Sequence, residues 1–309
     1  MSYLFDPDLN LYLQSFRSLW LTALMLAVSA VGSKEFLVFA AFFILSTVDF
    51  RKGALILQML LWSFVLTGFL KELFGLPRPT DLEPSLSSFE GFFPNWIIEY
   101  VHPEQSPGFP SGHVISTVTF WISVIYLFPG QKFQKLTAIA LIILMPVSRI
   151  YLGRHFLGDV LGGLLVGAAI PILGFFLLNH FGLRRAFLMN KEWIEIKIHL
   201  AVCLFVYLLV LPMVLNLIPL FSPKETGLWF GVNFFFFWMI LRRLPLQKGL
   251  IPTGWERFLM VVFFYIGITW ILSVIEFPSG NRWIEFTVAA APPSLSLLVT
   301  DSVFSAHIV

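Results

Sequence analysis

The amino-acid sequence predicts an all-α integral membrane protein with about ten membrane-spanning helices. Of its 309 residues, 58% are hydrophobic and 12% are charged, whereas soluble domains carry roughly 25% charged residues. The chain also contains 35 Phe and 10 Trp, more large aromatic side chains than the core of a soluble domain would bury. Because the apolar residues form long runs separated by charges, we assign these runs to helices in a bilayer.

Ten apolar runs define the predicted helices. A full crossing needs about 20 residues, so the first two runs are short. We predict that these two form either tilted helices or a re-entrant hairpin, and that the pair returns the chain to its starting side. The first six runs form a predicted six-helix core, and four additional spans follow it. The runs lie near residues 17–33, 36–48, 53–71, 112–129, 134–150, 156–180, 198–220, 227–241, 258–276 and 285–305.

The distribution of Lys and Arg predicts the orientation. If the N-terminus is cytoplasmic, 13 of the 20 Lys and Arg residues lie on the cytoplasmic side and 7 lie outside. Cytoplasmic loops are enriched in Lys and Arg, so we expect a cytoplasmic N-terminus. The outer end of the third span then faces the extracytoplasmic side of a multi-pass protein in a bacterial inner or plasma membrane.

Two connections divide the chain. The first, residues 74–110, contains seven prolines and is predicted to form an ordered cover at the membrane interface, because long loops in compact proteins are usually functional or disordered. The second, residues 181–197, is rich in charge and is predicted to be a cytoplasmic linker. We therefore expect a membrane domain over residues 1–183 and a C-terminal extension over residues 184–309. The net charge of +2 gives no indication of a nucleic-acid partner.

Three short segments concentrate the polar residues of the predicted outer face. They are Lys71–Pro79, Pro110–His113 and Ser148–Asp159. The first lies at the outer end of the third predicted span and the second at the start of the fourth. The last contains the turn between the fifth and sixth spans. All three are therefore predicted to converge at one depth on one face.

The residue types in these segments are suited to binding a phosphate. Lys71, Arg78 and Arg149 offer three cations for a phosphate dianion. Ser111 and the amide of Gly112 open a helix, where free N–H groups and the helix dipole favour an anion. These five residues are the predicted substrate-binding set.

Two histidines and one carboxylate supply the predicted chemistry. His155 and Asp159 are four residues apart, so on a helix they share a face. Asp159 can accept a hydrogen bond from one imidazole nitrogen and leave the other free to attack phosphorus. His113 is suited to protonating the leaving alkoxide. We expect no metal and no other cofactor, because zinc or magnesium would require more clustered ligands.

The spacing of these residues resembles the signature of the type 2 phosphatidic acid phosphatase (PAP2) superfamily. The pattern is Lys-x6-Arg-Pro, then Pro-Ser-Gly-His, then Ser-Arg-x5-His-x3-Asp. The resemblance covers about residues 15–180. It implies a six-helix core and a phosphohistidine on His155 that water then hydrolyses, with His113 as general acid. The eleven matching positions are Lys71, Arg78, Pro79, Pro110, Ser111, Gly112, His113, Ser148, Arg149, His155 and Asp159.

The predicted function is hydrolysis of a lipid phosphate, or of a prenyl or lipid diphosphate, by a membrane phosphatase. The lipid substrate is inferred from the depth of the site, because a headgroup can enter while its tail stays among membrane lipids. Three alternatives use the same residues. They are a sugar-phosphate phosphatase with the layout of glucose-6-phosphatase, a lipid phosphotransferase, and a transporter or scaffold that has lost catalysis. The sequence leaves the oligomeric state and the role of residues 184–309 open.

Overall fold

The computed structural model describes residues 2–79, 106–130, 132–180, 205–241, 251–274 and 280–305. Helices dominate these ranges and no strand occurs within them, which confirms the all-α fold class. The helices are α1 Asp8–Gln14, α2 Leu19–Val31, α3 Lys34–Phe43, α4 Phe50–Phe74, α5 Gly112–Leu127, α6 Lys132–Tyr151, α7 Leu157–His180, α8 Leu211–Leu217, α9 Pro223–Leu241, α10 Ile251–Val274 and α11 Arg282–Ser305.

Each predicted span contains a helix of the structure. Helices α4, α6 and α7 are each long and apolar enough to cross a membrane, and α5 is shorter, at 16 residues. A π-helical turn at Ile44–Val48 extends α3, and another at Val206–Val210 precedes α8. Most of the predicted interface cover, the linker at 181–197 and the boundary between the predicted domains lie outside the described residues.

The chain divides into two compact units. One contains Met1–Phe39 and Trp62–Phe176, and the other contains Ala40–Leu61 and Leu177–Val309. All eight predicted site residues belong to the first unit. Helices α3 and α4 each contribute residues to both units.

In the second unit a partly buried polar network lies among apolar helices. The amide of Gln58 donates to Asn233 Oδ1 at 2.6 Å, and its carbonyl oxygen accepts from Tyr207 and Trp229. Hydrogen bonds between polar side chains stabilise helix packing in a membrane, where water cannot satisfy these groups. The network therefore joins α4, α9 and the turn before α8.

Helices α2 and α3 form a bent pair rather than a hairpin. Their axes differ by 57° across the two-residue break, so the chain keeps its general direction. The start of α3 lies beside the middle of α4, where Lys34 stands over the ring of Phe64. Past the end of α3, Leu45 is in close contact with Gly53 near the beginning of α4. The pair thus runs antiparallel to α4 as a single broken crossing, and the prediction that it returns the chain to its starting side is wrong.

The N-terminal segment also lies on the face that carries the site. Phe5 packs edge-on against Phe109 and Phe156, and the side chain of Asn10 bonds to the turn between α6 and α7. The prediction that the N-terminus and the site occupy opposite faces is therefore also wrong. A break of two residues in an apolar run does not show from sequence whether the chain bends or reverses there.

Candidate active site

Ser106 connects two of the predicted phosphate-binding cations. Lys71, in the last turn of α4, donates from Nζ to Ser106 Oγ at 3.1 Å. Arg78 donates from Nη2 to the same oxygen at 3.0 Å and from Nε to the Ser106 carbonyl oxygen at 2.9 Å. One hydroxyl thus accepts from both cations, which brings their charges together. Sequence reasoning missed Ser106 because an uncharged residue before the Pro-Ser-Gly-His segment carries no signal of its own.

The start of α5 presents hydrogen-bonding groups next to these cations. Ser111 is the N-cap of α5, and its backbone N–H donates to the Asp159 carbonyl oxygen at 3.0 Å. Its hydroxyl is fully buried and has no hydrogen-bond partner among the described residues. Gly112 is the first residue of the helix. A buried hydroxyl that lacks a partner beside a helix N-terminus suits an anionic oxygen.

A tight turn between α6 and α7 positions the third cation. Gly153 has a φ of 67°, which glycine adopts readily, and the Arg154 N–H donates to the Arg149 carbonyl oxygen at 3.0 Å. Arg149 is buried at the end of α6, and its Nη1 donates to Ser29 Oγ of α2 at 2.5 Å. The broken crossing therefore contributes directly to the placement of Arg149.

His155 and Asp159 form the predicted pair. His155 Nδ1 lies 3.3 Å from Asp159 Oδ2, and the same oxygen accepts from the Phe156 N–H at 3.0 Å. Both residues are buried, with 1% and 0% of their surface exposed. Because Asp159 engages Nδ1, the other ring nitrogen, Nε2, remains for a substrate.

The surroundings of His155 favour its neutral form. Burial, followed by the positive charges of Arg149, Arg78 and Lys71, holds the pKa of the imidazole well below its usual range. The positive charge of a protonated His113 lowers the pKa of His155 further. A neutral imidazole keeps the lone pair that a nucleophile needs.

His113 lies half-buried in the first turn of α5. His113 interacts electrostatically with Arg149, Arg78 and Lys71, the same cations that act on His155. Lys34 is a further cation that acts on His113. The three predicted segments therefore meet around the two histidines.

Asn10 is a second residue that sequence reasoning missed. Its side chain is fully buried, and Nδ2 donates to the carbonyl oxygens of Ile150 at 2.8 Å and His155 at 3.0 Å. The amide thus fastens both ends of the turn that carries the histidine. A single Asn in a short N-terminal helix gives no sequence signal of this role.

The fold and the site define a class of membrane phosphatase, and comparisons with known proteins place the chain in it. Residues 52–181 match the PAP2 superfamily. The chain is also 30% identical over 180 residues to phosphatidylglycerophosphatase B of Bacillus subtilis strain 168, an alignment that covers 53% of this chain and 77% of the relative. The chain belongs to the PAP2 superfamily and is a phosphatase.

One solved structure also resembles this chain. It is the crystal structure of a transmembrane PAP2-type phosphatidylglycerolphosphate phosphatase from Bacillus subtilis. The TM-score is 0.43 at 26% sequence identity, and the match covers 58% of this chain and 85% of that one.

Proposed function

We propose that this protein hydrolyses a lipid phosphate, or a prenyl or lipid diphosphate, without a metal and through a phosphohistidine on His155. The observation that carries the proposal is the buried His155–Asp159 pair beside three cationic side chains. Lys71, Arg78 and Arg149 bind the phosphate dianion and stabilise the charge that develops on its oxygens during transfer.

In the first step His155 Nε2 attacks phosphorus while the bond from phosphorus to the lipid oxygen breaks. The bound phosphate dianion offsets the cations around His113 and so allows this ring to carry a proton. His113 gives the proton to that oxygen, so the lipid leaves as an alcohol, or as a monophosphate when the substrate is a diphosphate. Asp159 holds Nδ1–H and stabilises the positive charge that develops on the ring of His155. Ser111 and the Gly112 amide bind phosphate oxygens.

In the second step water attacks the phosphohistidine. His113, now neutral, accepts a proton from the water as the phosphorus–nitrogen bond breaks. Inorganic phosphate leaves, His155 regains its lone pair, and His113 is again protonated for the next cycle. Both steps use only side chains of the first unit.

The position of the site at helix ends favours a lipid substrate. Lys71 and Arg149 lie in the last turns of α4 and α6, whereas Ser111 and His155 precede α5 and α7. A headgroup can reach this depth while its acyl or prenyl tail stays in the bilayer. The similarity to a phosphatidylglycerophosphatase agrees with a phosphomonoester at the end of a lipid headgroup.

We further propose that the site faces the extracytoplasmic side. Moving the N-terminal segment to the site's face transfers Arg17, and Lys34 then lies at the break within the crossing. The balance of Lys and Arg therefore changes from 13 against 7 to 12 against 7. The cytoplasmic excess therefore persists. Residues 1–183 would form the phosphatase domain and residues 184–309 its extension.

Phosphate release by detergent-purified protein tests this function. The assay compares lipid phosphates, prenyl diphosphates and sugar phosphates, with EDTA present, for wild type, His155→Ala and the control His180→Ala. His180 is an exposed residue at the end of α7. We expect EDTA-resistant release from lipid substrates, lost in His155→Ala and retained in His180→Ala, because the cations of the site are side chains.

Trapping of the intermediate tests the mechanism. Brief incubation with a ³²P-labelled substrate followed by an alkaline quench should give an acid-labile label on wild type and none on His155→Ala. Release that EDTA abolishes, or that His155→Ala retains, would contradict the proposal. Preference for a sugar phosphate, or transfer of the label to an added alcohol in place of water, would support one of the alternative functions.

A further inference from the structure

Lys34 is a fourth cation near the site that no part of the proposed mechanism uses. It begins α3 at the break in the bent crossing, and it is exposed. Its Nζ stands 5.4 Å from the centroid of the Phe64 ring, a geometry in which the face of the ring attracts a cation. The ammonium group is thus held at a defined position beside α4.

This position is deeper along α4 than Lys71, the cation in the last turn of that helix. Phe64 precedes Lys71 by seven residues on α4, which is two helical turns, or roughly 10 Å along the axis. A charged side chain at such a depth is costly when it faces lipid, and in membrane proteins it usually serves a substrate or ion. An exposed lysine beneath the phosphate site is therefore a candidate for binding an anion that enters from the bilayer.

The neighbour of Lys34 indicates which part of the substrate it would meet. Ser116 Oγ of α5 donates to the carbonyl oxygen of Gly32, two residues before Lys34, at 3.5 Å. Ser116 follows His113, the proposed donor of a proton to the leaving oxygen, by three residues, and the charge of Lys34 acts on His113. The transferred phosphate lies on the other side of that oxygen, among Lys71, Arg78 and Arg149. A group near Lys34 would consequently belong to the leaving portion of the lipid.

We propose that Lys34 binds a second phosphate on the leaving portion of the substrate and so determines specificity. The inference rests on the proposed function. It selects lipids whose terminal phosphate is followed by another one, either a phosphodiester nearer the tail, as in phosphatidylglycerophosphate, or the inner phosphate of a prenyl diphosphate. A lipid such as phosphatidate, which has one phosphate only, lacks the group that Lys34 recognises.

Paired substrates test this proposal. The kcat/KM values for phosphatidylglycerophosphate and phosphatidate with identical acyl chains, and for a prenyl diphosphate and its monophosphate, are measured in the same mixed micelles. The proteins are wild type, Lys34→Gln, Lys34→Arg and Lys52→Gln. Lys52 is a control lysine near the other end of α4, where it pairs with Asp49 at 3.8 Å.

We expect Lys34→Gln to lower kcat/KM roughly tenfold or more for at least one of the two-phosphate lipids, as expected for loss of a charge-assisted contact. The one-phosphate partner should lose several-fold less, because any effect of the missing charge on His113 falls on both members of a pair. Its remaining turnover also shows that the variant is folded. Lys34→Arg should retain most of the preference, and Lys52→Gln should behave as wild type. The substrate pair in which Lys34→Gln selectively lowers kcat/KM for the two-phosphate member identifies the lipid class.

Equal losses on both members of each pair, or no loss on any, would overturn the role of Lys34 while leaving the proposed function intact. A wild type that cleaves none of the lipids would overturn the proposed function, and the role of Lys34 with it. The wild-type rates therefore distinguish the two failures.

Discussion

The residue that we propose as nucleophile is held from two directions. Asp159 contacts the imidazole ring of His155, and Asn10 holds the backbone of the same residue by its carbonyl oxygen. The first contact was predictable, because a spacing of four residues has a direct geometric meaning on a helix. The second was not, since 145 residues separate the partners and only the packing of α1 brings them together.

Asn10→Ala should lower kcat roughly tenfold while KM changes little. Removing the amide leaves two buried carbonyl oxygens without their donor, a loss of about 1–3 kcal/mol, and loosens the turn that positions His155. Asn10→Asp keeps the shape of the side chain but removes the hydrogen-bond donor, so its kcat should fall as far as that of Asn10→Ala. Steady-state kinetics and thermal unfolding measure both effects.

Gln14→Ala is the matched control for Asn10. Gln14 is also buried in α1, and it donates to the Tyr151 carbonyl oxygen at 3.1 Å, away from the histidine. We expect it to lower the melting temperature with a smaller loss of kcat. If both variants lose stability and kcat in the same proportion, Asn10 serves only to hold the helix in place.

The lowered pKa of His155 has a consequence for the pH profile. In the proposed mechanism the neutral ring is the nucleophile. This form persists to lower pH in the folded protein than in an unfolded chain, where histidine titrates near pH 6.5. The loss of kcat/KM caused by protonation of His155 should therefore begin below about pH 6.5.

Two phosphomonoesters whose phosphates ionise at different pH separate the enzyme's titration from the substrate's. A limb of the kcat/KM profile that lies at the same pH with both substrates reports a group of the free enzyme. An acid limb of this kind above pH 6.5 would show that His155 is not held neutral as the structure indicates.

At the scale of elements, contact between α5 and α7 fixes the distance between the two histidines. A Cβ placed on Gly167 of α7 would lie 2.8 Å from the Ile115 carbonyl oxygen and 2.9 Å from Val118 Cβ. Thr119 of α5 donates to the Gly167 carbonyl oxygen at 3.0 Å. Small residues allow membrane helices to approach this closely.

Gly167→Val should separate α5 from α7 and lower both stability and activity. Overpacking of this kind costs about 1–3 kcal/mol, and the shift would move His113 away from His155. Thermal unfolding in detergent and kcat measure the two effects.

Gly267→Val is the control, because a Cβ at Gly267 of α10 meets nothing within 4 Å. It should leave both quantities near the wild-type values. A Gly167→Val protein as stable and active as the control would mean that the two helices can separate without consequence for the site.

At the scale of the whole molecule, the bent crossing of α2 and α3 determines which face carries the N-terminus. The structure places the N-terminal segment beside the site, whereas Lys132 opens α6, whose far end is the one that bears Arg149. Tyr3 and Lys132 should therefore be accessible from opposite sides of the membrane.

Cysteine labelling on intact bacterial cells tests this arrangement. The chain contains one cysteine, Cys203, so Cys203→Ser provides a background for Tyr3→Cys and Lys132→Cys. Tyr3 is 90% exposed. A membrane-impermeant maleimide should label the first variant directly and the second only after permeabilisation.

The reverse labelling pattern would place the site on the cytoplasmic face. Labelling of both positions from outside would mean that α2 and α3 together return the chain to its starting side, as the sequence analysis predicted. Phosphate release confirms that each variant is folded.

Apolar runs and motif spacing, read from the sequence alone, determined the helical class and the positions of the helices, and they predicted the eight site residues. These features are local or depend on a fixed period. The solvent preference of a run is a property of its own side chains, and the spacing from His155 to Asp159 has meaning on any helix.

Only the tertiary structure decided the single crossing of α2 and α3, the side on which α1 lies, and the contacts of Asn10, Ser106 and Lys34. Each depends on contacts between residues far apart in the chain, or on the angle at a short break. A bend of 57° and a reversal leave the same pattern of apolar residues, because hydropathy records the depth of a residue in the bilayer but not the direction of the chain.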